Sequence, residues 1–275
     1  MQVKKSHPTT ENWRLSVRFI ISRLLWVSRL CNLFVIDRGN FRLRFFPTAL
    51  SASYWVDSSE RDEDERLIRN YLRPGDVMID VGANIGALSL AGAAAVGTSG
   101  RIYSIEPHPE IFHYLRENVK LNQFGNVELF NVAVGARPDV VSFSNIRSDD
   151  QNAIEKDGAL RINVETLDEL LGSKTVKIAL MKVDVEGFEK YVFEGAKQVL
   201  MNTDVVYFEA WESHFNKYNY STSDVLQMLR SLGFKLIRMI GNELSEIAPD
   251  YIAKDCQNLL AIRDIQHFKG RLGID

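Results

Sequence analysis

The chain has 275 residues, 45% of them hydrophobic and 25% charged, which allows one large α/β domain with a full core and excludes a disordered or fibrous class. Its net charge of −3 conceals a basic leader of +7 over residues 1–50 ahead of an acidic remainder of −10, and no basic stripe runs through that remainder, so nucleic acid is excluded as the expected partner. Two distant cysteines, Cys31 and Cys256, form neither a disulfide framework nor a metal spacing and suggest a reducing, cytoplasmic setting.

Residues 1–12 are polar and read as a frayed terminus. From Arg14 to Ile36 the chain is rich in Leu, Ile, Val, Phe and Trp but is interrupted by Arg18, Arg23 and Arg29, too often for a spanning helix. Two readings stay open for residues 14–36: a helix packed on the domain or on a second copy of the chain, or an interfacial helix meeting anionic lipid. Asn40–Asp57 reads as a hairpin or two edge strands, and Ser58–Leu72 as an acidic amphipathic helix ended by Pro74-Gly75. The expected organisation is thus an extension over 1–57 and a domain over 58–275.

Strands and helices then alternate. Strands are expected at Val77–Val81, Arg101–Glu106, Val127–Asn131, Val140–Ser144, Ile178–Val183, Val205–Glu209, Phe234–Ile240 and Leu259–Arg263. Helices are expected at Ile85–Ala95, Pro109–Leu121, Leu167–Leu171 and Tyr191–Leu200, and one capped by Ser223 runs to Leu232. Residues 145–163 read as an irregular, mobile loop. Strands separated by helices of this length imply right-handed βαβ crossovers and a doubly wound, mostly parallel sheet.

The informative stretch is Asp80-Val81-Gly82-Ala83-Asn84-Ile85-Gly86, which closes a strand and opens a helix. Such a turn lies at the carboxyl edge of the sheet, where ligands bind. A dinucleotide fingerprint starting at Gly82 would place glycines at 84 and 87, where Asn84 and Ala87 stand, so a pyrophosphate is disfavoured and an NAD enzyme is the weaker reading. An adenosine with an amino-acid tail fits better, with Asp80 helping to hold an ammonium group. Glu106, at the end of the next strand, can accept from ribose hydroxyls, and Ala133 within Asn131–Gly135 can line an adenine slot.

Alternation along Lys182-Val183-Asp184-Val185-Glu186 sets the three charged residues on one side of the strand end, with Glu209 ending the next strand. Asp184 is the first choice for a general base, then Glu186 and Glu209, and Lys182 is their ion-pair partner or co-catalyst. The three acids could also hold magnesium, but no metal is expected. His108 and His214 read as capping or surface residues rather than bases, and Glu189 as favourable charge at a helix start. No N-P-P-Y-like tetrapeptide follows the strand, which favours an oxygen acceptor over a planar nitrogen.

The segments Val77–Gly86, Glu106–Pro109, Asn131–Gly135 and Lys182–Glu189 together resemble the FkbM family of methyltransferases over roughly Ser58 to Arg263. The resemblance implies a seven-stranded class I methyltransferase (Rossmann-like) sheet and S-adenosylmethionine as donor. It also implies a hydroxyl on a sugar, lipid or polyketide-like acceptor, and cofactor contacts from Asp80, Gly82, Ala83, Asn84, Gly86 and Glu106. A membrane-attached module without catalysis is the reading of another class, motivated by the leader alone.

Overall fold

The computed structural model describes residues 10–57, 59, 61–146, 152–172 and 177–274. Most of the residues read as a frayed terminus, 1–9, lie outside them, as does Ser58.

The leader begins with α1 (Thr10–Val27), a 3-10 turn at Leu30–Leu33 and a hairpin of β1 (Val35–Asp37) and β2 (Arg42–Arg44). The hairpin lies earlier than the sequence suggested, and Ala49–Val56 is a helix, α2, rather than a strand. The cause is local: Thr48 caps it by accepting from Ser51 N at 3.1 Å, and Ala, Leu and Ser fill its first turn. The next helix, α3 (Asp62–Tyr71), starts later than expected, after Arg61 in the left-handed region.

The βα alternation follows as β3 (Val77–Val81), α4 (Ala87–Val96), β4 (Arg101–Ile105), α5 (Pro109–Leu121), β5 (Val127–Phe130), β6 (Ala133–Val134), β7 (Asp139–Phe143) and β8 (Leu160–Glu165). It continues with α6 (Leu167–Leu171), β9 (Ile178–Val183), α7 (Glu189–Glu194), α8 (Lys197–Met201), β10 (Thr203–Ala210) and α9 (Glu212–Lys217). The chain ends with α10 (Thr222–Ser231), β11 (Lys235–Ile240), β12 (Glu243–Glu246), β13 (Gln257–Ile262) and α11 (Ile265–Leu272). The cap of α10 is Ser221, not Ser223: Ser221 and Asp224 bond each other's backbone amides in a capping box.

The main sheet has the order β12-β11-β13-β10-β9-β3-β4-β5. Its five strands from β10 to β5 are parallel, while β13, β11 and β12 pair antiparallel at one side. This is the strand order that the resemblance implied, with one edge strand, β12, beyond the seven expected. The end of the segment read as a loop, Leu160 to Asn163, belongs instead to β8, which lies between β6 and β7 in a separate three-stranded sheet. There Ile162 and Val164 are buried and Arg161 and Asn163 exposed, the alternation of a half-buried strand.

Alternate side chains of the strands feed two cores. Met78, Ile102, Leu180 and Tyr207 face α3, α4, α5 and α11, while Ile79, Ile105, Met181 and Phe208 face α6, α7, α8 and α10. The leader from Phe41 onward is no separate unit. Phe41, Leu43, Phe46, Leu50 and Tyr54 join the first core, Phe46 stacks on Tyr114, and Asn118 of α5 and Asn122 at its C-terminal cap accept from the backbone amides of Arg44 and Arg42.

Chain order diverges at β3, which has β4 on one side and β9 on the other. A crevice outside the carboxyl ends of β3 and β9 is where such a sheet binds its ligand.

Candidate active site

The crevice holds two adjoining chambers. The first is lined by Gly82, Ala83, Asn84, Glu106, Val132, Ala133, Phe143 and Ile154, and at its rim by Lys182, Asp184, Glu186 and Arg61. The second is lined by Glu186, Glu209, Trp211, His214, Lys217, Tyr218 and Cys256. Arg61, Ile154 and Glu186 border both.

The floor of the first chamber is the β3–α4 turn. Gly82 has φ +76°, and a Cβ there would lie 1.8 Å from the backbone oxygen of Asp184, so only glycine lets the β3 and β9 turns pass this closely. Gly86, at φ +94°, is required for a different reason: a Cβ would meet Leu115 Cδ1 at 2.5 Å. It does not line the chamber directly and lets the start of α4 pack closely on α5.

Glu106 accepts from the backbone amides of Asn84 (3.0 Å) and His108 (2.8 Å), which aims its carboxylate into the chamber. A carboxylate at the end of the second strand is the group to which ribose hydroxyls donate in sheets of this kind. Val132, Ala133, Phe143 and Ile105 form an apolar wall of the same chamber. The residues present therefore suit an adenosine.

Asp80 stands elsewhere than expected. It is fully buried beneath the floor, accepts from Ser89 Oγ at 2.5 Å and lies 3.5 Å from Lys182 Nζ. The ammonium it meets is the protein's own. Lys182 Nζ donates to Gly82 O at 2.8 Å and sits 3.5 Å from Asp184 as well, so it ties the β3 turn to the β9 end. The two carboxylates keep the Lys182 ammonium charged although burial alone would drive its pKa down.

Asp184 lies within 3.6 Å of Arg61 Nη1 and 3.5 Å of Lys182 Nζ. These two cations outweigh its burial and hold its carboxyl below the usual range. A carboxylate so stabilised is a poor proton acceptor, which displaces the residue ranked first from the sequence. Burial and the Asp184 charge instead push Glu209 up to about 7. Glu209 Oε1 accepts from Cys256 Sγ at 3.0 Å.

His214, read as a surface residue, faces the second chamber. Its Nδ1 lies 3.3 Å from Glu186 Oε2 and 3.9 Å from Glu209 Oε2, and burial lowers its pKa, favouring the neutral ring. Ligand atoms of Glu186, Glu209 and His214 fall within 4.8 Å of one another, so among the described residues these three, and not the Asp184-containing trio, are the ones grouped closely enough to ligate a cation. His108 is a cap as expected: its Nδ1 accepts from Ile111 N at the start of α5.

Glu189 stands in the first turn of α7, as expected, and is fully buried. It accepts from the amides of Val185 (3.0 Å) and Gly187 (3.4 Å), and burial pushes its carboxyl up to about 8. It braces the turn that presents Asp184 and Glu186, the latter at φ +55°. Sequence reasoning missed Arg61, Tyr54 and Leu50, which reach the chamber from the leader side. No local spacing marks them; the Arg at the start of an acidic run was the available signal.

The family described as "Methyltransferase FkbM domain" matches residues 80–236. The hexuronic acid methyltransferase AglP of Haloferax volcanii is 31% identical over 179 residues, covering 64% of this chain and 73% of that protein. An FkbM methyltransferase structure from Methylobacillus flagellatus is 16% identical, with a TM-score of 0.43 over 91% of this chain and 60% of that one. Aeropyrum pernix fibrillarin, solved with natively bound S-adenosyl-L-methionine, is 15% identical, with a TM-score of 0.40 over 73% of this chain and 74% of that one.

Proposed function

Since the chain belongs to the FkbM family of methyltransferases, with S-adenosylmethionine as donor, we propose that it methylates a hydroxyl oxygen of a sugar-like acceptor bearing a carboxylate. The cofactor supplies an electrophilic methyl on a sulfonium. Glu106, the Gly82–Asn84 backbone and the Ala133 wall hold its nucleoside in the first chamber, and the acceptor lies in the second. Holding the two partners in line supplies much of the rate.

The observation that carries the hydroxyl reading is Glu209. A hydroxyl is a weak nucleophile and gains from a base whose pKa lies near the working pH, and Glu209, at about 7 on the acceptor side, meets that requirement. As the oxygen–methyl bond forms and the sulfur–methyl bond breaks, the hydroxyl proton passes to Glu209. Trp211 offers a flat apolar surface to a sugar ring, and Lys156 and Lys217 line the same chamber as partners for an acceptor carboxylate. The hexuronic acid methyltransferase relative supports that acceptor class.

The test is methyl transfer from labelled S-adenosylmethionine to hexuronate-bearing glycans and to their neutral hexose counterparts, with the wild type and Glu209→Gln. The proposal expects the acidic acceptor to be preferred. It also expects a wild-type rate that rises with pH through about 7, and a Gln variant slowed by about 10²–10⁴ with that rise removed. A variant with unchanged rate and pH profile rules Glu209 out as the base.

A further inference from the structure

Among the described residues, the largest concentration of exposed large apolar side chains lies on the leader. On α1, Val17, Ile20, Ile21, Leu24 and Val27 recur at helical spacing and form one stripe, with Ile20 59%, Leu24 65% and Val27 85% exposed. Leu30, Leu33, Phe34 and Val35 prolong the exposed apolar surface past the helix end. Part of the opposite side of α1 packs on α2, with Ser22 buried and Arg18 against the Trp55 ring, while Leu15 and Phe19 on that side stay 39% and 52% exposed. The stripe is therefore not a core face lacking its domain.

Charge selects the occupant. From Asn12 to Ile36 there are four arginines and no acidic residue. At 100° per residue Arg18 and Arg23 fall on opposite flanks of the stripe, the positions from which a cation reaches a headgroup while the stripe sinks into the acyl boundary. A second copy of the chain would have to bring four like charges against four more, whereas an anionic lipid surface neutralises them. No helix among the described residues is long and apolar enough to cross a bilayer, so a membrane contact of α1 would be interfacial rather than spanning.

We propose that α1 and the turn after it dock the protein on an anionic membrane surface. The docked face adjoins the site: α2, on which α1 packs, contributes Leu50 and Tyr54 to the cofactor chamber. Docking places the active crevice beside the bilayer, the position from which a lipid-linked acceptor is reached. The docking itself does not depend on which acceptor is methylated.

The test is co-sedimentation of the full chain with vesicles of phosphatidylcholine containing about a third phosphatidylglycerol, and with phosphatidylcholine alone. The variants are Leu24→Asp with Val27→Asp, and separately Arg18→Gln with Arg23→Gln. Both are exposed changes, and retained S-adenosylhomocysteine binding verifies the fold. The expected result is binding to the anionic vesicles that falls at least tenfold in either variant, falls with added salt and is weak on neutral lipid. Wild type remaining in the supernatant, or variants sedimenting as well as wild type, overturns the proposal. So does a wild-type dimer that the Asp variant converts to monomer without any vesicle binding, which would assign the stripe to a second copy.

Discussion

Replacing Lys182 by Met tests the electrostatic frame of the crevice. The ammonium is almost fully buried, 3.5 Å from both Asp80 and Asp184, and Asp80 is itself wholly inaccessible. At an effective dielectric of about 20, each attraction is about 5 kcal/mol, roughly 10 kcal/mol together. Desolvating the ammonium offsets several kcal/mol of that. Met fills similar volume but leaves two carboxylates facing one another without their common cation, and it removes the bond to Gly82 O. The expected loss is about 3–5 kcal/mol. In urea denaturation the midpoint shifts accordingly, and the melting temperature falls by on the order of 10 °C. Adding Asp80→Asn to the Met variant removes one uncompensated charge and restores part of the loss. A Lys182→Met protein within 1 kcal/mol of wild type, or a double variant no better than the single, refutes the account of this network.

Two further outcomes follow from the same geometry. Glu189 holds its proton up to about pH 8, whereas the unfolded chain releases it near the ordinary carboxyl value. The folded state therefore binds the extra proton between those values, and stability falls as pH rises through the window. Glu189→Gln mimics the protonated acid, so its stability relative to wild type should grow between pH 5 and 8 by about 1.4 kcal/mol per unit of pH, measured by urea titration; parallel curves contradict this. Gly82→Ala places a methyl 1.8 Å from Asp184 O at a positive φ, so it must part the β3 and β9 turns. Calorimetry should show S-adenosylhomocysteine binding weakened at least tenfold, and unchanged affinity removes the turn from the site.

Much of this was legible in the sequence because it is encoded locally. The β3 strand, the Gly82 turn and the acid ending the next strand follow one another within a single βαβ unit, and period-2 and period-3.6 patterns place each of them. The strand-end set Lys182, Asp184 and Glu186 was legible for the same reason. Their ranking was not, because it depends on Arg61, which enters from a segment more than 100 residues earlier and draws Asp184 into an ion pair. Asp80 was misplaced because alternation gives the face of a side chain but not its depth: the chamber lies above that face, and Ser89 and Lys182 take the carboxylate below it. His214 enters from α9, a six-residue helix with no periodic signal. Polar composition hid β8, although Leu160, Ile162 and Val164 already alternate with polar residues.

The most direct test is a crystal structure of the protein with S-adenosylhomocysteine. The account predicts the ribose hydroxyls on the Glu106 carboxylate, the adenine against Ala133 and Phe143, and the sulfur facing the chamber that holds Glu209. A nucleoside seated away from Glu106, or a sulfur turned from Glu209, contradicts it.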